Sequence, residues 1–150
     1  MTMKSESILF RTMCLSDYPA LIDLMGRSPG VSVRDADSEV AIARFLERNP
    51  GLSFVAEREG RLVGCLMAGH DGRRGHLHHL AVDIDCQRQG VGTALVERCL
   101  AALAQLGIHK THLDVYRNNA AGNAFWEKAG WTRRDDTYRF SMIRGAGSNA

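Results

Sequence analysis

Along the chain, compact apolar runs alternate with stretches whose apolar residues recur every three or four positions, and that change of period predicts the elements. Residues 8–13 read as a short strand. Ser16-Asp17-Tyr18-Pro19 then opens a helix that runs to about Arg27, and Pro29-Gly30 breaks it. A second helix is predicted over 36–48, with Ser38 as its cap and Val40, Ile42, Ala43, Phe45 and Leu46 as its apolar positions. Residues 52–57 and 62–70 read as strands joined by the turn Arg58-Glu59-Gly60-Arg61. Asp71-Gly72-Arg73-Arg74-Gly75 turns the chain into a buried strand, 76–82. Ala94, Leu95, Leu100, Leu103 and Leu106 follow at helical spacing, with Gly107 as the stop. A strand over 109–116 must lie parallel to 76–82, because a helix crosses over between them. A short helix over 120–128 ends at Gly130, and 131–134 with 138–143 form a closing hairpin around Asp135-Asp136. The tail, 145–150, is polar and glycine-rich and is expected to fray. This order predicts an antiparallel meander feeding a strand–helix–strand unit, an α/β (α+β) fold in one domain.

Between the 76–82 strand and its helix lies Gln87-Arg88-Gln89-Gly90-Val91-Gly92. Gly90 and Gly92 let main chain approach a ligand without side-chain obstruction, and the new helix aims unpaired N–H groups at it. Its start carries roughly +0.5 charge, which suits a pyrophosphate. A tight turn is the plain alternative. The dinucleotide fingerprint is not met, because position 95 is Leu, and a P-loop would need Gly-Lys followed by Ser or Thr.

Two stretches carry a family resemblance. Gln87-Arg88-Gln89-Gly90-Val91-Gly92 resembles the acetyl-CoA motif (Gln/Arg)-x-x-Gly-x-(Gly/Ala) of the GCN5-related N-acetyltransferases (GNAT family). Residues 119–131, from Asn119 through Phe125-Trp126-Glu127-Lys128 to Gly130-Trp131, resemble that family's second motif. The likeness spans about residues 7–143, and the turn Gly69-His70-Asp71-Gly72-Arg73-Arg74-Gly75 resembles one found in small bacterial members. The resemblance implies the GNAT fold: a mixed central sheet of six to seven strands and about four helices. Its parallel fourth and fifth strands, here 76–82 and 109–116, splay into a slot. It implies acetyl-CoA as cofactor, its diphosphate held by Gln87 to Gly92 with Thr93. Its pantetheine arm would lie along Leu80-Ala81-Val82 and meet Asn119, Phe125 and Trp126.

The implied reaction is attack of a primary amine on the acetyl thioester. An alkylammonium with pKa near 10 is only about 0.1% neutral at pH 7, a cost of roughly 4 kcal/mol. A well-placed donor to the developing oxyanion is worth about 3–4 kcal/mol. For that donor the family uses a main-chain N–H, which maps onto Leu80-Ala81-Val82, Val82 first. For the base there are two candidates. His76 and His78 leave one face of their strand, and His76 to Val82 resembles the histidine-bearing strand of arylalkylamine N-acetyltransferases. Asp114, in Leu113-Asp114-Val115, matches the acidic position of ribosomal-protein N-terminal acetyltransferases. A core histidine and an exposed edge acid are the ordinary alternatives. Asn119 is equally suited to cap the helix from 120. Trp126 stands where the family usually has Tyr. An indole N–H donates a hydrogen bond but does not deliver a proton, so proton delivery to the thiolate falls to Tyr116, another side chain or solvent. Arg73-Arg74 reads as a solvated turn tip.

Composition narrows the partners. A chain of 150 residues with 45% hydrophobic and 24% charged residues is ordinary for a globular protein, and a net charge of +2 gives no case for nucleic acid. Cys14, Cys65, Cys86 and Cys99 have no pairing pattern and read as reduced thiols. With no export leader and no long apolar run, the expectation is a cytoplasmic protein away from membranes. The acceptor is then a small-molecule amine or a protein N-terminal amine, and a homodimer stays open. The apolar cast of residues 14–50 favours an amine with a hydrophobic body. The main competitor is a catalytically weak acyl-CoA-binding sensor, suggested by Trp126. A metal site is disfavoured, because strict alternation sends His79 to the face opposite His76 and His78.

Overall fold

The structure, a computed structural model, describes residues 7–145. Strand β1 (Leu9–Thr12) leads through a 3-10 turn into helix α1 (Tyr18–Gly26), and a second 3-10 turn leads into α2 (Glu39–Arg48). Strands β2 (Phe54–Arg58), β3 (Arg61–His70) and β4 (Gly75–Val82) follow, then α3 (Val91–Gln105), β5 (Thr111–His112) and α4 (Ala120–Lys128). The sheet order is β1-β2-β3-β4-β5, antiparallel through β4, with β4 and β5 parallel. Ser38 caps α2 by accepting the Ala41 N–H at 3.2 Å, as its position in the sequence predicts.

Helices cover both faces of the sheet, which explains why β3 is buried almost end to end rather than at alternate positions. Leu66 and Ala68 face α3, where Val91, Leu95, Cys99 and Leu103 meet them. Cys65 and Met67 face α1 and α2, against Leu21, Leu24, Met25 and Ile42. Each fully buried Leu or Ile contributes about 1.5–3 kcal/mol. Gly64 marks the close approach of α3, since a Cβ there would stand 3.0 Å from Val91 Cγ1 and 3.2 Å from Leu95 Cδ1. That approach keeps a glycine inside a central strand.

Three expectations need correction. Among the described residues the sheet has five strands, not six to seven. The strand predicted over 109–116 is only Thr111–His112. Neither 131–134 nor 138–143 is a strand; Tyr138, Phe140 and Met142 are 85%, 93% and 86% exposed. Alternating apolar residues specify which face a strand would bury, but a ladder also needs a partner edge. Here β5 is only two residues long, so the edge it offers the closing segment is too short to carry a ladder. Of the tail expected to fray, 146–150 lies outside the described residues.

Candidate active site

Strand β4 pairs with β5 only at Gly75↔Thr111 and His76↔His112, and beyond that point the two diverge. The ladder fixes which groups face the gap. The Asp83 N–H donates to the Val63 carbonyl of β3 at 2.7 Å. Successive strand N–H groups point to opposite edges, so the Val82 N–H faces the slot.

The middle of β4 carries a bulge. Cys65 pairs with Ala81 but Met67 pairs with His78, so β4 has one residue more than β3 over this interval. His79 sits there in the left-handed region at φ 58°. The bulge corrects the expected alternation: His79 turns to the α1/α2 face beside His78, their rings 6.4 Å apart. Its Nε2 lies 2.7 Å from Asp37 Oδ1. Burial alone would raise Asp37, but hydrogen bonds from His79 and the Arg34 N–H outweigh it and hold the carboxyl below the usual carboxylate range. The ionised carboxylate makes His79 Nε2 the donor, and the pair clips the chain ahead of α2 onto β4.

His76 and His78 do share one face, their rings stacked at 4.4 Å and 27°. Phe45 of α2 meets His78 edge-on at 5.8 Å. Across the slot, Asp114 Oδ2 lies 3.5 Å from His76 Nε2 and is also paired with Arg139. Burial, then repulsion between imidazolium charges here and on the neighbouring His76 and His79, pushes His78 down to about 4. Burial, followed by Arg139 and His112, lowers His76 as well. Both imidazoles are therefore neutral at pH 7. They line an open cavity of about 460 Å³ on the α2 side, bounded also by Phe45, Arg48, Asn49, His70, Arg74 and His112. A cavity of about 480 Å³ between Asp23, Arg27, Arg61 and Asp83 lies away from these histidines, and ion pairs occupy it.

At the opposite end of β4, Gly90 adopts φ 78° as the residue before α3, and the first helical bond runs from the Ala94 N–H to its carbonyl. The N–H groups of Arg88, Gln89 and Gly90 make no hydrogen bond of ordinary geometry with the described residues. Arg88 is also left-handed, at φ 63°. For a non-glycine residue that conformation costs of order 1–3 kcal/mol, and such strain gathers at ligand clamps. Asp83, which sequence reasoning missed, holds the loop from below. Its carboxylate accepts Arg61 at 2.7 Å, Arg27 at 3.2 Å and the Asp85 N–H at 3.2 Å, while its carbonyl accepts the Cys86 N–H. An acidic residue just past a strand was visible in the sequence, but its two distant partners were not.

Asn119 caps α4 by accepting the Gly122 N–H at 2.9 Å, which leaves its Nδ2 without an acceptor among the described residues. A Cβ on Gly30 would stand 2.4 Å from that nitrogen, so the loop after α1 lies against Asn119. The same loop meets Tyr116, whose hydroxyl is 3.1 Å from Ser32 Oγ. Hydrogen bonding to Ser32 and Arg34 lowers the Tyr116 pKa. Trp126 stands edge-on between Phe125 (4.9 Å) and Trp131 (5.1 Å), and Phe125 lies beside Gly92. All four cysteines are free thiols. Burial pushes Cys65 and Cys99 up to about 12, so neither carries a thiolate at neutral pH.

A loop whose N–H groups lack internal acceptors thus adjoins the stretch of β4 that β5 leaves unpaired, with His76 and His78 on the α2 side. A sequence profile of the Acetyltransferase (GNAT) family matches residues 18–131. An acetyltransferase of Pectobacterium atrosepticum is 39% identical over 112 residues, 75% of this chain and 79% of its own. One from Sodalis glossinidius is 36% identical over 99 residues, 66% of this chain and 70% of its own. The PaiA N-acetyltransferase of Thermoplasma acidophilum, solved in complex with coenzyme A, shares the fold at TM-score 0.78 and 20% identity, covering 87% and 93% of the two chains. The ribosomal-protein-S18-alanine N-acetyltransferase of Escherichia coli gives TM-score 0.69 at 28% identity, covering 83% and 77%. The protein is an acetyltransferase. It belongs to the GNAT family, which uses acetyl-CoA.

Proposed function

We propose that the protein transfers the acetyl group of acetyl-CoA to a primary amine by direct attack, with both substrates bound at once. The observation that carries this reading is the unpaired stretch of β4 beyond His76, which runs toward a loop whose N–H groups lack internal acceptors. The amides of Arg88 to Thr93 hold the diphosphate, Gly90 supplying the left-handed turn and Gly92 the close approach. Asn119 Nδ2 donates to the pantetheine arm, and Phe125 and Trp126 pack beside it. Acetyl-CoA supplies an acyl group on a good leaving group; the chain supplies the rest.

The Val82 N–H donates to the acetyl oxygen as charge builds there. The ammonium enters from the α2 side and gives up its proton through ordered water to His76, His78 and Asp114. The amine nitrogen bonds to the acetyl carbon as the C–S bond breaks, and the departing sulfur takes a proton. Tyr116 suits that last role because its pKa is lowered, whereas the Trp126 indole only donates a hydrogen bond. A covalent acyl-cysteine route has no support: Cys65 and Cys99 are buried and protonated, Cys86 is buried, and Cys14 sits at the far edge of the sheet.

Initial rates of thiol release, with acetyl-CoA and amine varied together, test the order. Intersecting double-reciprocal lines are expected, and parallel lines would overturn direct attack. Trp126 favours a second reading, a sensor that binds acetyl-CoA and turns over slowly. Tight acetyl-CoA binding with no thiol release across an amine panel from pH 6 to 9 would establish it.

A further inference from the structure

The cavity on the α2 side has a lopsided charge. Arg48 and Arg74 reach its rim from α2 and from the turn before β4, and four imidazoles, His70, His76, His78 and His112, line the remainder. The one carboxylate among its lining residues, Asp71, folds back on its own turn, its Oδ1 accepting the Arg73 and Arg74 main-chain N–H groups at 2.8 and 2.9 Å. The Gly72 N–H donates to His70 Nδ1 at 2.9 Å, so the proton of a neutral His70 sits on Nε2, another donor. Neither arginine has a carboxylate partner among the described residues; Arg74 Nη1 donates only to the Arg73 carbonyl, at 3.2 Å. A guanidinium without a partner is a ready fork for a carboxylate or phosphate. The apolar wall is Phe45, and Asp114, already paired with Arg139, stands outside the lining, 3.5 Å from His76. The charge of the cavity is therefore set by the guanidiniums of Arg48 and Arg74 on its rim.

From this we infer that the acceptor is an amine carrying an anionic group, a carboxylate or phosphate, on the far side of a short apolar body, and that Arg48 and Arg74 bind that group. The inference rests on the acceptor entering from the α2 side, as proposed above. It adds an anionic group to the amine with a hydrophobic body expected from the sequence, because Arg74, which reads as a solvated turn tip, borders the cavity.

Three amines with one shared body test it: 2-phenylethylamine, 4-(2-aminoethyl)benzoate and tyramine phosphate. At low ionic strength, kcat/KM is expected to be at least tenfold higher for one or both acidic amines than for the neutral one. Which acid leads separates carboxylate from phosphate. Arg48→Gln/Arg74→Gln is expected to bring the ratio to within about twofold, while Arg73→Gln keeps it. Calorimetric titration of 4-(2-aminoethyl)benzoate into the CoA-saturated protein is the independent arm. Binding that the double variant weakens at least fivefold, without turnover, would sustain the anion site and sink the amine-transfer reading. Equal kcat/KM for acidic and neutral amines, or binding indifferent to both arginines, would overturn the inference.

Discussion

At the scale of single residues, the site is a contest between burial and charge. His78 is hemmed in by Phe45, His76 and His79, and its pKa falls to about 4. It is therefore neutral near pH 7, and His76 is shifted the same way. The rate should then follow the free amine alone: kcat/KM rises about tenfold per pH unit below the amine pKa. It should show no bend at or above pH 6.5, and a bend there would contradict the shifted imidazoles. At the leaving-group end, Trp126→Tyr restores a hydroxyl where the family usually has one. It is expected to raise kcat several-fold with little change in the KM for acetyl-CoA; an unchanged kcat would show that protonation of sulfur does not limit turnover. The shared face of His76 and His78 was legible, because period-two alternation needs only the local chain. The placement of His79 was not, since a single inserted residue opposite β3 reverses every facing assignment beyond it.

At the scale of elements, the loop and helix α3 were legible almost in full: glycines, a helical period and a strand ahead of them are all local. The helix begins at Val91, ahead of the apolar positions that reveal its period, because Gly90, in the left-handed region, already supplies the turn. Strand β5 was legible only as a segment, since its length depends on how far β4 stays beside it. Asp83 shows how one side chain outside the contact surface can tune such a loop. It ties α1, the β2–β3 turn and the start of the loop together through Arg27, Arg61 and the Asp85 N–H. Its cover consists of two arginines that are themselves 43% and 61% exposed, so these ion pairs are screened and each is worth about 1 kcal/mol or less. Asp83→Asn is therefore expected to raise the KM for acetyl-CoA several-fold, to leave kcat within twofold, and to lower stability by about 1 kcal/mol in urea unfolding. A fall in kcat with an unchanged KM would contradict a purely positioning role.

Across the whole molecule, the titrating groups set a direction for acid stability. Asp17, buried against Arg11, together with Asp37 and Asp83, has a folded pKa below its ordinary value. These carboxylates stabilise the fold above about pH 4 and lose that contribution as pH falls further. His78 acts earlier. Its folded pKa is below its unfolded value of about 6.5, so the unfolded chain takes up the proton first and stability declines from about pH 6.5 down to about 4. Urea midpoints should fall over that window, and His78→Gln should flatten the upper part while leaving the steeper loss below pH 4. The apolar residues on both faces of β3 require a cover on each side, but they do not say which helix supplies it. Nor did the residue pattern convey the missing sixth and seventh strands, because Tyr138, Phe140 and Met142 look the same whether or not an edge exists to receive them.

The early parting of β4 from β5 also makes the substrate's own amide-bearing arm a structural member. The Val82 N–H faces the slot with no strand beside it, and under the proposed function a bound thioester would give donors on this edge their acceptors. Loading is then coupled to rigidity by mass action. Saturating acetyl-CoA should raise the melting temperature and slow deuterium uptake most at the Val82 amide, with far less change in β1 and β2. Scarcity of the acyl donor would leave this edge of the enzyme the first part to loosen.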